Sequence, residues 1–187
     1  MFDVERLKED CLDALKEESP HAAIKEIVAR AVAEPWHVLK ALGEPELAGL
    51  QSLYRSEQLT ILNVLWGPGM NLYPHEHRMW AVIGVYGGQE ENAFYRRSES
   101  GLTGHGNKTL RTKDTLPLGE SVIHAVTNPL EQITAAIHVY GGDFFAVPRS
   151  EWDPRTLQER PFDLENAKRV FEESNQRLRA SKLGIAG

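Results

Sequence analysis

The 187-residue chain has a single cysteine, Cys11. No disulfide can form within it and no zinc site can be built on several thiolates, so any bound metal must be held by nitrogen and oxygen. Positive charge is also scarce: 21 Lys and Arg against 27 Asp and Glu leave a formal net charge of -6. That balance opposes nonspecific attraction to nucleic acid or anionic lipid, and no Lys/Arg cluster reverses it locally. No window approaches the roughly 18 apolar residues of a membrane span. The opening MFDVERLKEDCLDALKEE is charged throughout and lacks the apolar core of a signal peptide. Neither a membrane nor a nucleic-acid partner is expected, and the cytoplasm is the expected compartment. What is present, 41% hydrophobic and 26% charged residues, is the make-up of a soluble globular protein, and the length suits one domain spanning 1–187.

Residues 1–54 read as a helical region. Phe2, Leu7, Cys11, Leu12 and Leu15 recur at helical spacing; Ser19-Pro20 then caps and opens a second helix running to about Leu42. Gly43-Glu44-Pro45 breaks it, and Glu46 to Tyr54 is expected as one more short helix. From Gln58 the texture changes to short β-prone runs, QLTILNVLW, WAVIGVYGG, NAFYRR, KTLRT, SVIHAV and QITAAIHVY, separated by Gly, Pro, Asn or Ser. Residues 55–148 are therefore expected as an antiparallel β body without crossover helices. The echo of VYGG at Val85 and again at Val139 hints at two related halves, as in a double-stranded jelly roll. Residues 149–187 form a polar extension ending in an amphipathic helix from Asp163 to Leu183.

Seven histidines are present, and His21 and His37 in the helical region are expected to be hydrogen-bonded or exposed rings. His75 and His77, in NLYPHEHRMWAVIGVYGG, differ. On a strand, side chains at i and i+2 leave from one face, so both imidazoles point at one place, an arrangement useful mainly to a cation. His138 and Tyr140 share a face by the same rule, and a jelly roll would gather these distant strands with His124 around one barrel mouth.

The stretch WGPGMNLYPHEHRMWAVIGVYGGQEEN, followed by HAVTN and IHVY, resembles the cysteine dioxygenase family of cupins, the thiol dioxygenases, in order and approximate spacing. The resemblance spans roughly residues 54 to 145. It implies a mainly β cupin double-stranded β-helix with N-terminal helices and a C-terminal helix. It further implies mononuclear non-haem Fe(II) held by His75, His77 and His124, with His138 and Tyr140 lining the substrate and oxygen pocket. The implied activity converts a small thiol, cysteine or a mercapto-carboxylate, with O2 to its sulfinate. Most metal cupins follow the histidine pair with a glutamate, but Met79 to Val85 holds no carboxylate, and Glu76 should face away from the pair. A neutral three-histidine set leaves open positions where a thiolate and dioxygen can both bind.

Two departures from the family pattern stand out. Its Ser-x-His-x-Tyr has Ala136 at the first position, and the position matching its crosslinking cysteine falls near Val82, so no crosslink to tyrosine is expected. A substrate carboxylate would call for arginine, whose planar fork donates two hydrogen bonds. Arg55, ahead of the WGPG strand, is the candidate, with Arg78, Arg96 and Arg97 competing. Two further readings stay open: a three-histidine cupin that cleaves a diketone-like oxygen chelator, and a non-catalytic metal-binding cupin.

Overall fold

The computed structural model describes residues 1–99 and 101–182; Leu183, the expected end of the last helix, lies outside them. Three helices, α1 (Val4–Ala14), α2 (Pro20–Val32) and α3 (Pro35–Leu42), precede nine strands of the main body. These are β1 (Gly49–Arg55), β2 (Thr60–Trp66), β3 (Asn71–Glu76), β4 (Ala81–Gly87), β5 (Gln89–Ser98), β6 (Gly101–Arg111), β7 (Thr115–Leu118), β8 (Ile123–Thr127) and β9 (Thr134–Tyr140). Two short strands, β10 (Ser150–Trp152) and β11 (Glu159–Pro161), and helix α4 (Leu164–Lys182) complete the order.

Local chemistry explains the helix limits. Asp3 caps α1 by accepting from the Arg6 amide at 2.8 Å, and proline stands at the start of both α2 and α3, where a missing N–H costs nothing. The expected single helix to Leu42 is therefore two, because Pro35 cannot continue α2. The expected short helix over 46–54 is corrected outright: this stretch enters β1, which pairs antiparallel with β2 from Gly49 opposite Leu65 to Arg55 opposite Thr60. The open ladder of β2 outweighs local helix preference, since it offers backbone partners and half-buries Leu53 and Tyr54 against the cluster between helices and sheet.

The strands form two antiparallel sheets, β1-β2-β9-β4-β7 and β11-β10-β3-β8-β5-β6. Within them β5 pairs with β6, β4 with β7, β3 with β8 and β2 with β9. The body is thus one long hairpin rolled on itself, the double-stranded β-helix, with helices at its N-terminal side and one at its C-terminal end. One face of the first sheet turns inward with Leu62, Val64, Ile83 and Ala136; the other packs Ile61, Val82, Tyr86, Ile137 and Val139 against Leu7, Ile24, Val28 and Val38 of the helices. Both faces are covered, which is why AVIGVY and TAAIHVY are apolar almost without alternation. Among the described residues no helix is long and apolar enough to cross a membrane.

Gly84 marks a tight contact of α2 on the sheet. A Cβ there would lie 2.4 Å from Val28 Cγ1 and 3.0 Å from Val32 Cγ1. Gly84→Ala is expected to destabilise the protein by about 1–3 kcal/mol through overpacking, read from urea midpoints at constant m. A loss under about 0.5 kcal/mol, the level of an ordinary surface change, would show that α2 shifts freely on the sheet.

Candidate metal centre

The pairing of β3 with β8 sets His75 directly opposite His124. His77 follows at the end of β3, and its ring meets the Tyr140 ring of β9, on the other sheet, at a centroid distance of 5.0 Å. The rolled hairpin thus closes around a cavity of about 30 Å3, lined by His75, His77, His124, His138 and Tyr140. That space takes an ion with one or two water-sized ligands. Apart from the ring atoms the wall is apolar: Leu50, Val64, Leu72 and Val126 come from the barrel, and Phe144, Phe162, Leu164, Ala167 and Phe171 from the segment that follows it.

His75, His77 and His124 each offer one ring nitrogen, and these three atoms lie within 4.8 Å of one another. Two of the outer nitrogens have partners of their own. His75 Nδ1 sits 3.0 Å from the Tyr73 carbonyl oxygen and His124 Nδ1 sits 2.7 Å from Asn92 Oδ1. Both partners accept only, so both rings carry the proton on Nδ1 and keep a lone pair on Nε2. His124 Nε2 faces His77 Nε2 at 3.5 Å. Three buried imidazoles with converging ring nitrogens fit a divalent transition ion, and the outer partners of His75 and His124 are of the kind that orient metal ligands. The cluster can hold a metal. Among the described residues, no carboxylate joins the group. Glu76 is buried facing the other way, where it accepts from Arg78 and Arg97.

His138 and Tyr140 stand across the cavity, with His138 Nδ1 3.0 Å from the Tyr140 hydroxyl. Burial holds the Tyr140 hydroxyl protonated far above its ordinary range, so it remains a donor at any physiological pH. Arg55 is not brought to this cavity. It is half exposed and forms a two-pronged pair with Asp143, both bonds at 2.9 Å. Arg78 and Arg97 are engaged with Glu76, and Arg97 also with Glu159.

The cation that does reach the site is Arg149, in the loop after β9. Its guanidinium carbon lies 4.4 Å from the Phe144 ring centre and 4.0 Å from that of Phe162, both rings of the cavity wall. It donates to the Phe144 and Val147 carbonyls, while Nε is buried without a partner and, among the described residues, no carboxylate pairs with it. Burial lowers its pKa to about 10, which leaves it charged at neutral pH, and its field reaches His75, His77 and Tyr140. On its outer side Arg149 lines a surface recess of about 260 Å3 that shares Phe162 and Leu164 with the metal cavity. Its sequence signal, an arginine after the β body in VPRSEW, is indistinguishable from that of a surface arginine.

Two outcomes follow from the cluster. His77→Ala should remove most bound metal, measured on protein loaded with Fe(II) or Co2+; full retention would sink the ligand set. Burial pulls the His75 pKa down to about 4 and holds His77 and His124 well below the ordinary value, while an unfolded histidine titrates near 6.5. Below pH 6.5 the unfolded chain thus binds protons that the fold refuses. Stability of the metal-free protein should be complete above that pH and fall as the pH drops toward 4, by about 3 kcal/mol from His75 alone. Flat urea midpoints across that window would mean the buried rings accept charge.

No protein-family model matches the chain. Among solved structures it is similar to an RmlC-like cupin family protein with a double-stranded beta-helix fold from Methanocaldococcus jannaschii, at 10% identity over 55% of this chain and 87% of that one, with a TM-score of 0.46. It is also similar to a cupin superfamily protein from Desulfitobacterium hafniense, at 14% identity over 54% and 83% of the two chains and a TM-score of 0.44. A third likeness is to the oxalate decarboxylase of Bacillus subtilis, at 15% identity and a TM-score of 0.44, covering 55% of this chain and 28% of that one.

Proposed function

We propose that the protein is a non-haem Fe(II) thiol dioxygenase, related to the cysteine dioxygenase family, that converts a small thiol bearing a carboxylate to its sulfinate. The observation that carries this reading is the composition of the cluster: three neutral imidazoles and no carboxylate among the grouped ligands. Such a set leaves the positive charge of a bound divalent ion uncompensated and open to an anionic thiolate. Iron, when bound there, would supply the redox chemistry that joins dioxygen to sulfur.

The protein's own groups do the rest. Phe144, Phe162 and Phe171 keep bulk water from the cavity, which strengthens each remaining electrostatic interaction. Tyr140, kept protonated by burial and resting against His138 Nδ1, can turn its one proton from that nitrogen to oxygen in the pocket. Arg149 supplies what Arg55, paired with Asp143, does not: a buried cation with an unused N–H, between the surface recess and the cavity. A substrate carboxylate there would complete the guanidinium's hydrogen bonding while its sulfur reached toward the histidines. The cavity is too small for such a molecule with the rings as they stand, so Phe162 and Leu164, which separate the two spaces, must turn aside to admit it.

The test is oxygen uptake by anaerobically Fe(II)-loaded protein with cysteine, 3-mercaptopropionate, mercaptosuccinate and cysteamine, sulfinate being assayed. Uptake matched by sulfinate is expected for the carboxylated thiols. Arg149→Gln should raise their KM by ~10–100-fold, the worth of a charge-assisted hydrogen bond, and leave cysteamine turnover unchanged. Metal-loaded protein inert toward every thiol would overturn the reading in favour of an oxygen-chelating substrate or a non-catalytic metal site.

A further inference from the structure

Glu90 is fully buried on β5, two residues before Asn92 and on the same face. It is not among the clustered ligands, and its two oxygens are already engaged: Oε2 accepts from Trp66 Nε1 at 2.9 Å and Oε1 accepts from Asn92 Nδ2 at 2.9 Å. Oε2 also faces His138 Nε2 at 3.6 Å, and among the described residues that nitrogen has no hydrogen-bond partner. One carboxylate therefore faces both halves of the site, His124 through Asn92 and His138 across 3.6 Å.

We propose that Glu90 is a positioning residue that sets the tautomers of His124 and His138 together, making one a metal ligand and the other an acceptor for the Tyr140 hydroxyl. An amide side chain has a donor end and an acceptor end. With its donor end held by Glu90, Asn92 must turn its oxygen to His124 Nδ1. His124 then holds its proton on Nδ1 and its lone pair on Nε2, where the other two histidines converge. A reversed Asn92 would place its NH2 against His124 Nδ1, move the proton to Nε2 and close that nitrogen to a metal. On the other side, an acceptor facing His138 Nε2 draws the ring proton there, and Nδ1 is left to accept from Tyr140 at 3.0 Å. The gap of 3.6 Å is longer than a hydrogen bond, so Glu90 acts on His138 by charge and orientation. Ala136, two residues before His138 and inward-facing like it, offers no polar group that could do this instead.

The assignment rests on the histidine cluster being a metal site and is independent of the substrate. Long-range 15N–1H correlation spectra of the metal-free, full-length protein at pH 7.5 read the tautomers directly. The expected pattern is Nδ1–H at His124 and Nε2–H at His138; Nδ1–H at His138, or Nε2–H at His124, would overturn the proposal on the wild type alone. In Glu90→Gln the new amide can meet Asn92 with its oxygen or its nitrogen, so His124 loses its single tautomer and Co2+ affinity should fall ~10–100-fold, as for other groups that orient ligands. The double variant Glu90→Gln/Asn92→Asp exchanges donor and acceptor: the amide at 90 donates to the carboxylate at 92, which again accepts from His124 Nδ1. It should regain most of the Co2+ affinity. Unchanged affinity in the single variant, or no recovery in the double one, would reduce Glu90 to a filled position in the core. Because the tautomers are read without metal or thiol, they decide the role of Glu90 even where Co2+ uptake or sulfinate formation fails.

Discussion

Three imidazoles buried side by side in a cavity walled by leucine, valine and phenylalanine impose the condition that the rest of the protein satisfies. Each ring is forced neutral by desolvation and by its neighbours, and each outer nitrogen needs a partner, because an unpaired polar atom at that depth costs on the order of 1–3 kcal/mol. The β3 carbonyl of Tyr73 answers for His75, and Asn92 on β5 answers for His124. Both answers depend on the rolled hairpin, which brings β3, β8 and β5 side by side in one sheet and β9 across from them. The inner nitrogens are left facing one another, an arrangement with little to recommend it unless a cation sits between them.

The segment after the barrel is held in place as firmly as the barrel itself. Glu151, on β10 opposite His75, is fully buried and accepts from Arg160, Asn166 and the Asp163 amide, which ties the last strands and the start of α4 to β3. Farther along α4, Asn175 exchanges two hydrogen bonds with the backbone of Ala48, 2.7 and 3.0 Å long, just ahead of β1. Between these anchors lie Phe162, Leu164, Ala167 and Phe171, the side chains that cover the metal cavity. The backbone of the cover is thus pinned, at its start by the Glu151 bonds and by the Phe162 amide donating to the Arg149 carbonyl at 2.8 Å, and farther along by Asn175. An opening beside Phe162 and Leu164 that leaves these bonds intact is a rotation of the two side chains, not a shift of the chain.

Much of this was legible in the sequence where the signal was local. The i, i+2 spacing of His75 and His77 and of His138 and Tyr140 states which side chains share a face, whatever their surroundings, and the continuous apolar runs of β4 and β9 mark a sheet covered on both sides. What the sequence hid depends on pairing across the chain. Glu46 to Tyr54 has a helical pattern, but the free edge of β2 claims Gly49–Arg55 as a strand. Glu90 and Asn92 read as ordinary polar residues in QEENAF, though their alternation with Glu91 was a visible hint that both face inward. Nothing near Arg149 in the sequence announces that two phenyl rings from either side will enclose it.

The contrast between Arg55 and Arg149 shows why residue type and approximate position do not locate a substrate anchor. Arg55 has ideal two-pronged geometry, but its partner Asp143 already fills both prongs, and half of its side chain lies in solvent, where an added anion would gain little against water and salt. Arg149 has poorer geometry, with two of its bonds spent on carbonyls, yet it is desolvated and among the described residues makes no ion pair. The cost of burying that cation has been met by the fold, and cation–π contact with Phe144 and Phe162 offsets only part of it. A ligand carboxylate arriving there would recover the remainder as binding energy, which a surface pair cannot offer. Phe162, one of the two rings that stabilise the guanidinium, also stands between the recess and the metal cavity, so a carboxylate drawn to Arg149 meets the side chain that must turn to open the way to the histidines.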